Sequence, residues 1–195
     1  MQLVERTSPR KQQIEKQATV LFKSKGYAAS SMRDLAQALG IEAASLYSHI
    51  RSKQQILHKI CFEMAREFFK AIHKIDEITP VLKLQAAIAS HFKVITRHPN
   101  ATAVFFTEWR HLEEPALTEF LALRSQYEQY YIDTIQQGIT AGNFKNIDHK
   151  LAMMTILSAI NWTHQWYRPT GKLSVDEIAD QLSQLLINGL GNTSK

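Results

Sequence analysis

The sequence predicts an all-α protein, and three observations support that class. Helix-capping residues recur along nearly the whole chain, apolar residues repeat with a helical period between them, and no stretch alternates as a strand would. The chain has 195 residues, of which 45% are hydrophobic and 21% are charged. This length is enough for one sizeable domain or two small ones with a buried core.

The first third of the chain predicts three helices. Ser8-Pro9 marks the start of helix one, and apolar residues at i, i+4, i+7 and i+8 follow before Gly26 ends it. Ser31 begins a capping box for a short second helix that stops at Gly40. Residues 42–49 form an equally short third helix.

The rest of the chain predicts six further helices, which makes nine in all. Capping residues, first-turn prolines and terminal glycines set their bounds. The expected helices run from Ser52 to Ile75, from Thr79 to His98, from Asn100 onward, from Pro115 to Gly142, from Asp148 to Tyr167 and from Ser174 to Gly189. Residues 1–53 are the expected first domain and residues 54–195 the second, so the boundary falls at the beginning of helix four.

Positive charge is concentrated in the first domain. Residues 1–60 hold 10 Lys and Arg against 4 Asp and Glu, whereas residues 61–195 hold 13 against 14. Such an asymmetry is typical of a segment that meets a polyanion. The single cysteine, Cys61, excludes an internal disulfide, and the first residues lack the apolar run of a secretion signal. A cytoplasmic protein is therefore expected.

The second and third helices have the pattern of a helix-turn-helix. Ala36 is small where two helix backbones would approach, Gly40 can adopt left-handed angles in the turn, and Leu46 would pin the third helix. In such a motif the second of the two helices enters the major groove of DNA. Small and polar side chains would form its outer side, with basic residues beside it. The candidate DNA contacts are Ser31, Arg33, Ala44, Ser45, Tyr47, Ser48, His49 and Lys53.

Residues 14–60, and above all GYAASSMRDLAQALGIEAASLYSHIRSKQQIL, resemble the DNA-binding domain of TetR-family transcriptional regulators. A G-[YF] turn, a D-[IL]-A helix and an L-Y-x-H-F-x-S-K signature recur in that family. The one departure in the last signature is Ile50, which remains apolar. The resemblance implies a three-helix DNA-binding head on an all-helical, dimeric ligand domain. It also implies a repressor that a small effector releases from a pseudo-palindromic operator in duplex DNA.

The second domain predicts a small-molecule pocket. Aromatic residues with a few polar groups among them are typical both of a helical core and of a small-molecule pocket between helices. The stretch NWTHQWYRPTGKLSVDEIADQLSQLLINGL resembles the C-terminal end of TetR-family members that respond to acyl-CoA or aryl-CoA thioesters. The candidate ligand contacts are Phe105, Trp109, Arg110, Tyr127, Tyr131, Asn161 and Trp162.

The apolar residues of the last two predicted helices indicate a homodimer. Helix eight is apolar nearly all round, and a second copy would cover the excess apolar surface of both helices in a four-helix interface. The candidate interface residues are Leu151, Met154, Ser158, Ile178, Leu182 and Leu185.

Two other classes of protein compete with this interpretation. An enzyme would need paired acids, a metal set or a cofactor motif, and Glu108-x-x-His111 is only half of a di-iron motif without a second copy. The histidines His91, His98, His149 and His164 lack metal-ligand spacing and are expected in the core or on the surface. We therefore expect no cofactor, no metal and no catalytic site. A helical adaptor would leave the basic first domain unexplained.

Overall fold

The computed structural model of the chain describes residues 9–191. Within that range the chain is helical, with one isolated β-bridge and no strand, as the all-α class predicts. The helices are α1 (Pro9–Lys25), α2 (Met32–Ala38), α3 (Ala43–Tyr47), α4 (Lys53–Ile72), α5 (Pro80–Arg97), α6 (Pro99–Glu108), α7 (Ala116–Thr140), α8 (His149–Asn161), α9 (Thr163–Trp166) and α10 (Val175–Leu190). A turn of 3-10 helix, Trp109–His111, follows α6. None of these helices is both long enough and apolar enough to span a bilayer.

Most predicted helix bounds agree with the structure to within a few residues. The main difference is at the eighth predicted helix, which divides at Trp162 into α8 and the short α9. The capping boxes predicted at Ser31 and Ser174 are both present. Ser8, the predicted cap of the first helix, lies outside the described residues.

The chain divides into two compact units. The first holds the residues up to Met64 together with Asn100–Glu119, and the second holds Ala65–Pro99 together with the residues from Phe120 onward. This division differs from the predicted boundary after residue 53, because contacts assign the 100–119 segment to the same unit as the first three helices.

Each unit has its own apolar core. In the first, Ile14, Ala18 and Phe22 of α1 are buried, as are Leu35 and Leu46 of α2 and α3. In the second, α5 lies at the centre, and α8, α9 and α10 pack against it. Leu84, Ile88 and Phe92 of α5 are fully buried there.

Candidate nucleic-acid interface and buried polar cluster

The turn between α2 and α3 has the geometry that the sequence predicts. Gly40 adopts a φ of +63°, which a side chain would strain. The Ile41 amide donates to the Ala36 carbonyl at 3.0 Å and so closes the end of α2. Leu46 and Ile50 are buried and hold α3 in place. The apolar side of α3 is therefore fixed, and its opposite side faces outward.

That outer side is a set of exposed side chains that are small or polar. Ala44, Ser45, Ser48 and His49 are exposed, and Tyr47 keeps 53% of its surface accessible. The side chains of Ser45, Tyr47 and His49 make no hydrogen bond or ion pair with any other residue between 9 and 191. The Ser48 hydroxyl donates to the Ser45 carbonyl at 2.7 Å, which leaves its oxygen free to accept. We name these five residues the α3 face.

Ser31 and Arg33 flank this face on α2. Arg33 is exposed. The Ser31 hydroxyl accepts from the Asp34 amide at 3.1 Å and donates to the Asp34 carboxylate at 2.7 Å. Hydrogen bonds from Ser31 and the nearby Lys25 ammonium lower the pKa of Asp34 to about 2. Ser31 thus has a structural role as a helix cap, beside the DNA contact predicted for it.

Lys53 has a role that the sequence did not reveal. Its ammonium donates to the carbonyls of Tyr27 at 2.7 Å and of Ser30 at 2.8 Å, and it lies 4.0 Å from the centre of the Tyr27 ring. Burial lowers the pKa of this lysine. These contacts fix the loop before α2 to the start of α4, so Lys53 positions the helix-turn-helix. The phosphate contact predicted for it stays a prediction.

A second set of contacts attaches the end of α6 to the same loop. The Tyr27 amide donates to the Glu108 carboxylate at 3.1 Å, and the Tyr27 ring stacks on His111 with 5.3 Å between the ring centres. The Gln54 side chain donates to the His111 carbonyl at 2.5 Å. Glu108 and His111 are therefore structural residues, and residues 9–191 contain no group of three side chains placed to bind a metal.

The second unit contains a hydrogen-bonded cluster of His91, Tyr127, Tyr131 and Asn161, which we call the buried polar cluster. His91 Nε2 lies 2.9 Å from Asn161 Oδ1, and His91 Nδ1 lies 2.9 Å from the Tyr127 hydroxyl. Because an amide oxygen only accepts, Nε2 carries the ring proton and Nδ1 accepts from Tyr127. The Tyr131 hydroxyl donates to the Ala87 carbonyl at 3.2 Å. Each of these side chains is therefore paired inside the unit.

The environment keeps this cluster neutral. His91 is 3% exposed, and burial lowers its pKa to about 3 against an opposing effect of the Asn161 hydrogen bond. Burial also raises the pKa values of Tyr127 and Tyr131. The ring of Phe68 on α4 lies 4.4 Å from the His91 ring. The sequence is compatible with His91 in the core or on the surface, and the structure places it in the core.

The seven predicted ligand contacts are divided between the two units. Tyr127, Tyr131 and Asn161 belong to the buried polar cluster, whereas Phe105, Trp109 and Arg110 are in the first unit. Arg110 is exposed, with its guanidinium 4.5 Å from the Trp109 ring. Trp162 is 63% exposed, because it lies on the outer side of the α8–α9 junction. The contact of Trp162 with an effector stays a prediction, and its side chain lies on the surface of the single chain.

The outward sides of α8 and α10 carry exposed apolar residues. Leu151 is 53% exposed, Met154 47% and Leu185 73%. Ser158 is exposed beside them, and Ile178 and Leu182 are half-buried. These residues follow a helical repeat on each helix, and Trp162 extends the α8 stripe by one turn. We call this surface the α8–α10 face.

Comparisons with known proteins agree with both units. Residues 14–60 match the family model for bacterial regulatory proteins of the tetR family, and residues 77–190 match the tetracyclin repressor-like C-terminal domain. The HTH-type transcriptional repressor KstR2 of Rhodococcus jostii (strain RHA1) is 27% identical over 179 residues, which are 90% of this chain and 88% of that protein.

Solved structures of bacterial regulators share the fold of this chain. The TetR-family regulator PfmR from Thermus thermophilus is 30% identical with a TM-score of 0.80, over 92% of this chain and 99% of that chain. AibR, solved in complex with isovaleryl coenzyme A and operator DNA, is 24% identical with a TM-score of 0.79, over 91% of this chain and 98% of that chain. With its two family domains in this order and its helix-turn-helix intact, the chain belongs to the TetR family of transcriptional regulators.

Proposed function

We propose that this regulator represses transcription by binding a pseudo-palindromic operator and that an acyl-CoA or aryl-CoA thioester releases it. The observation that carries DNA recognition is the α3 face, where polar side chains are exposed and three of them are unpaired among the described residues. Serine, tyrosine and histidine side chains can hydrogen-bond phosphates or base edges in the major groove. A protein with this task acts on the bacterial chromosome, so we place it in the cytoplasm.

The second unit supports an effector with an apolar body and a few polar groups. Tyr127 and Asn161 place hydroxyl and amide groups, hydrogen-bonded to His91, within the largely apolar core of this unit, and such a mixture is the usual composition of a ligand site. AibR, which shares the fold, was solved with a CoA thioester and operator DNA together. We infer the same chemical class of effector here. Contacts of Phe105, Trp109 and Arg110 with the effector remain predictions.

Helix α4 provides the physical link between effector and DNA. It is one continuous helix from Lys53, which holds the loop before α2, to Ile72. Phe68, near its other end, packs on His91 of the buried polar cluster. An effector that displaces the cluster therefore displaces Phe68 and strains α4. To take operator occupancy from 99:1 to 1:99, it must prefer the released state by about 10⁴-fold, or roughly 5.5 kcal/mol.

The α8–α10 face is the proposed dimer interface. Its exposed leucines and methionine would be buried by a second copy in a two-fold, four-helix arrangement. A dimer would place two α3 faces on half-sites about 34–36 Å apart, or at a longer spacing characteristic of the family.

The dimer proposal is tested by Leu185→Glu, with Gln184→Glu as a control on the same helix. Sedimentation should show a monomer for Leu185→Glu at micromolar concentration, because a buried carboxylate without a partner opposes association. Gln184→Glu should remain a dimer. A Leu185→Glu protein that stays dimeric would contradict the proposed interface.

The effector proposal is tested by operator release. An operator is first selected from random duplex DNA, and a panel of acyl-CoA and aryl-CoA thioesters is then titrated against the protein–DNA complex. At least one thioester should lower operator affinity, and its free acid should be far less effective. If no thioester acts while a CoA-free amphiphile does, the effector class is wrong and the repressor remains.

A further inference from the structure

A groove on the second unit runs between the C-terminal end of α4 and the middle of α7, with a volume of about 660 Å³. Phe69 and Leu123 contribute apolar surface to it. Four basic side chains line it as well: Arg66 and Lys70 on α4, and His73 and Lys74 in the turn that follows this helix. No aspartate or glutamate lines this groove. The side chains that line this groove therefore carry positive charges and no negative charge.

A second groove, on the other side of α4, provides a comparison. It runs between α4 and α5, has a volume of about 430 Å³, and shares Lys70 and Lys74 with the first. Lys93 and Arg97 line it as well, but Glu67, Asp76 and Glu77 offset most of this positive charge. An anion is accordingly favoured more strongly on the α7 side of α4 than on the α5 side.

The lysines of the first groove are weakly held within the protein. Lys70 Nζ lies 3.8 Å from a Glu67 carboxylate oxygen, and both side chains are more than a third exposed, so water screens this pair. Lys74 forms no ion pair with any residue in the 9–191 range. The two ammonium groups can therefore turn toward a ligand without breaking a strong contact.

The groove also has a connection to the buried polar cluster. The Phe69 ring packs edge-on against the Tyr127 ring, with 5.6 Å between their centres. Tyr127 in turn donates to His91. A molecule that has one end in the groove can thus act on the cluster through Phe69.

We propose that this groove binds the phosphate-bearing nucleotide end of a coenzyme A thioester. The inference rests on the effector class proposed above and assigns the part of the effector that these cations recognise. Phosphates are the natural partners of Arg and Lys side chains, and the apolar floor suits the adenine ring. The groove volume is within the range of small-molecule sites. The basic side chains of the groove therefore suit the phosphate groups of the nucleotide, and its apolar floor suits the aromatic base.

The test uses the full-length protein and free coenzyme A, measured by calorimetry. The groove variant is Lys70→Gln/Lys74→Gln, and Lys150→Gln/Lys172→Gln removes the same charge from exposed positions elsewhere in the second unit. The dissociation constant for coenzyme A should rise about tenfold in the groove variant, as expected for two exposed charge pairs, and stay unchanged in the control. Adenosine 3′,5′-bisphosphate should show the same pattern, and pantetheine, which lacks phosphate, should show no difference between variants.

The results separate this inference from the proposed effector. Equal coenzyme A affinity in the parent and the groove variant, or no binding to the parent, would overturn the groove site, whichever thioester releases the operator. A tenfold loss confined to the groove variant would support the site even if no thioester releases DNA, and in that case the effector role alone would fail.

Discussion

The α3 face and the buried polar cluster use similar side chains in opposite ways. On α3, the side chains of Tyr47 and His49 point into solvent and have no partner among the described residues. In the second unit, Tyr127 and His91 are buried and bonded to each other at 2.9 Å. The same two residue types are therefore exposed and available to a partner in one unit, and hydrogen-bonded inside the core in the other. Changes at α3 should alter binding, and changes in the cluster should alter stability.

The largest expected effect is on DNA affinity. Tyr47→Ala/His49→Ala should weaken operator binding at least about a hundredfold, because each lost contact contributes about 1–3 kcal/mol. The melting temperature should not change, since neither side chain forms a hydrogen bond with any residue between 9 and 191. Fluorescence anisotropy and circular dichroism measure the two quantities. Gln184→Ala/Asn188→Ala, on exposed positions of α10, is the control. Parental affinity in the double variant would show that α3 does not read the operator.

The converse effect is expected in the buried polar cluster. Tyr127→Phe removes the donor to His91 and should lower the free energy of unfolding by about 1–3 kcal/mol, the cost of an unsatisfied buried group. Tyr130→Phe is a matched control, since the buried Tyr130 hydroxyl has no hydrogen-bond partner among residues 9–191. Urea unfolding of both variants measures the difference. Equal stabilities would mean that the cluster is not held together as described.

The titration of His91 provides a further test of its burial. Burial lowers the pKa of His91 from 6.5 to about 3, so between these values the unfolded chain binds a proton that the folded chain does not. Stability should therefore fall as the pH is lowered from 6.5 toward 3, by up to about 1.4 kcal/mol per pH unit. Urea unfolding of the parent and His91→Gln at pH 7, 6 and 5 should show a shallower loss in the variant. Parallel losses would indicate that His91 is not the group responsible.

The smallest effect is expected where α6 meets the loop before α2. Glu108→Gln weakens a charge-assisted bond from the Tyr27 amide, and we expect a loss of about 1 kcal/mol in stability and a fewfold loss in operator affinity. Glu63→Gln, at a half-exposed carboxylate 3.6 Å from Lys59, should change neither. A Glu108→Gln protein that matches Glu63→Gln in both measurements would leave the attachment of α6 without a functional role.

The helix-turn-helix could be predicted because its determinants are local. The Ser31 cap, Gly40 and the buried Leu46 lie within 16 residues, and each has a preference that the sequence displays directly. The all-α class followed from the same kind of local signal. Neither prediction needed knowledge of distant contacts.

The role of Lys53 and the buried polar cluster could not be predicted, because both depend on contacts between residues far apart in the sequence. Lys53 binds carbonyls 26 and 23 residues away, and the buried polar cluster joins residues 36 and 70 apart. The spacing of apolar and polar residues along the chain gives no sign of such pairs. The exposure of Trp162 likewise depends on the α8–α9 junction, which turns its side chain outward, and not on its residue type. Aromatic character alone does not distinguish a pocket from a dimer surface.

If an effector in the second unit releases the α3 face from DNA, effector and operator must weaken each other's binding, and calorimetry can measure this reciprocity. A thioester active in operator release is titrated by calorimetry into the free protein and into the protein saturated with its selected operator. Linkage requires that the operator weaken thioester binding by the same factor by which the thioester weakens operator binding. We predict at least about a tenfold weaker thioester affinity in the DNA-bound protein. Equal affinities in the two titrations would mean that the effector site and the DNA-binding site are independent, and the proposed release mechanism would be wrong.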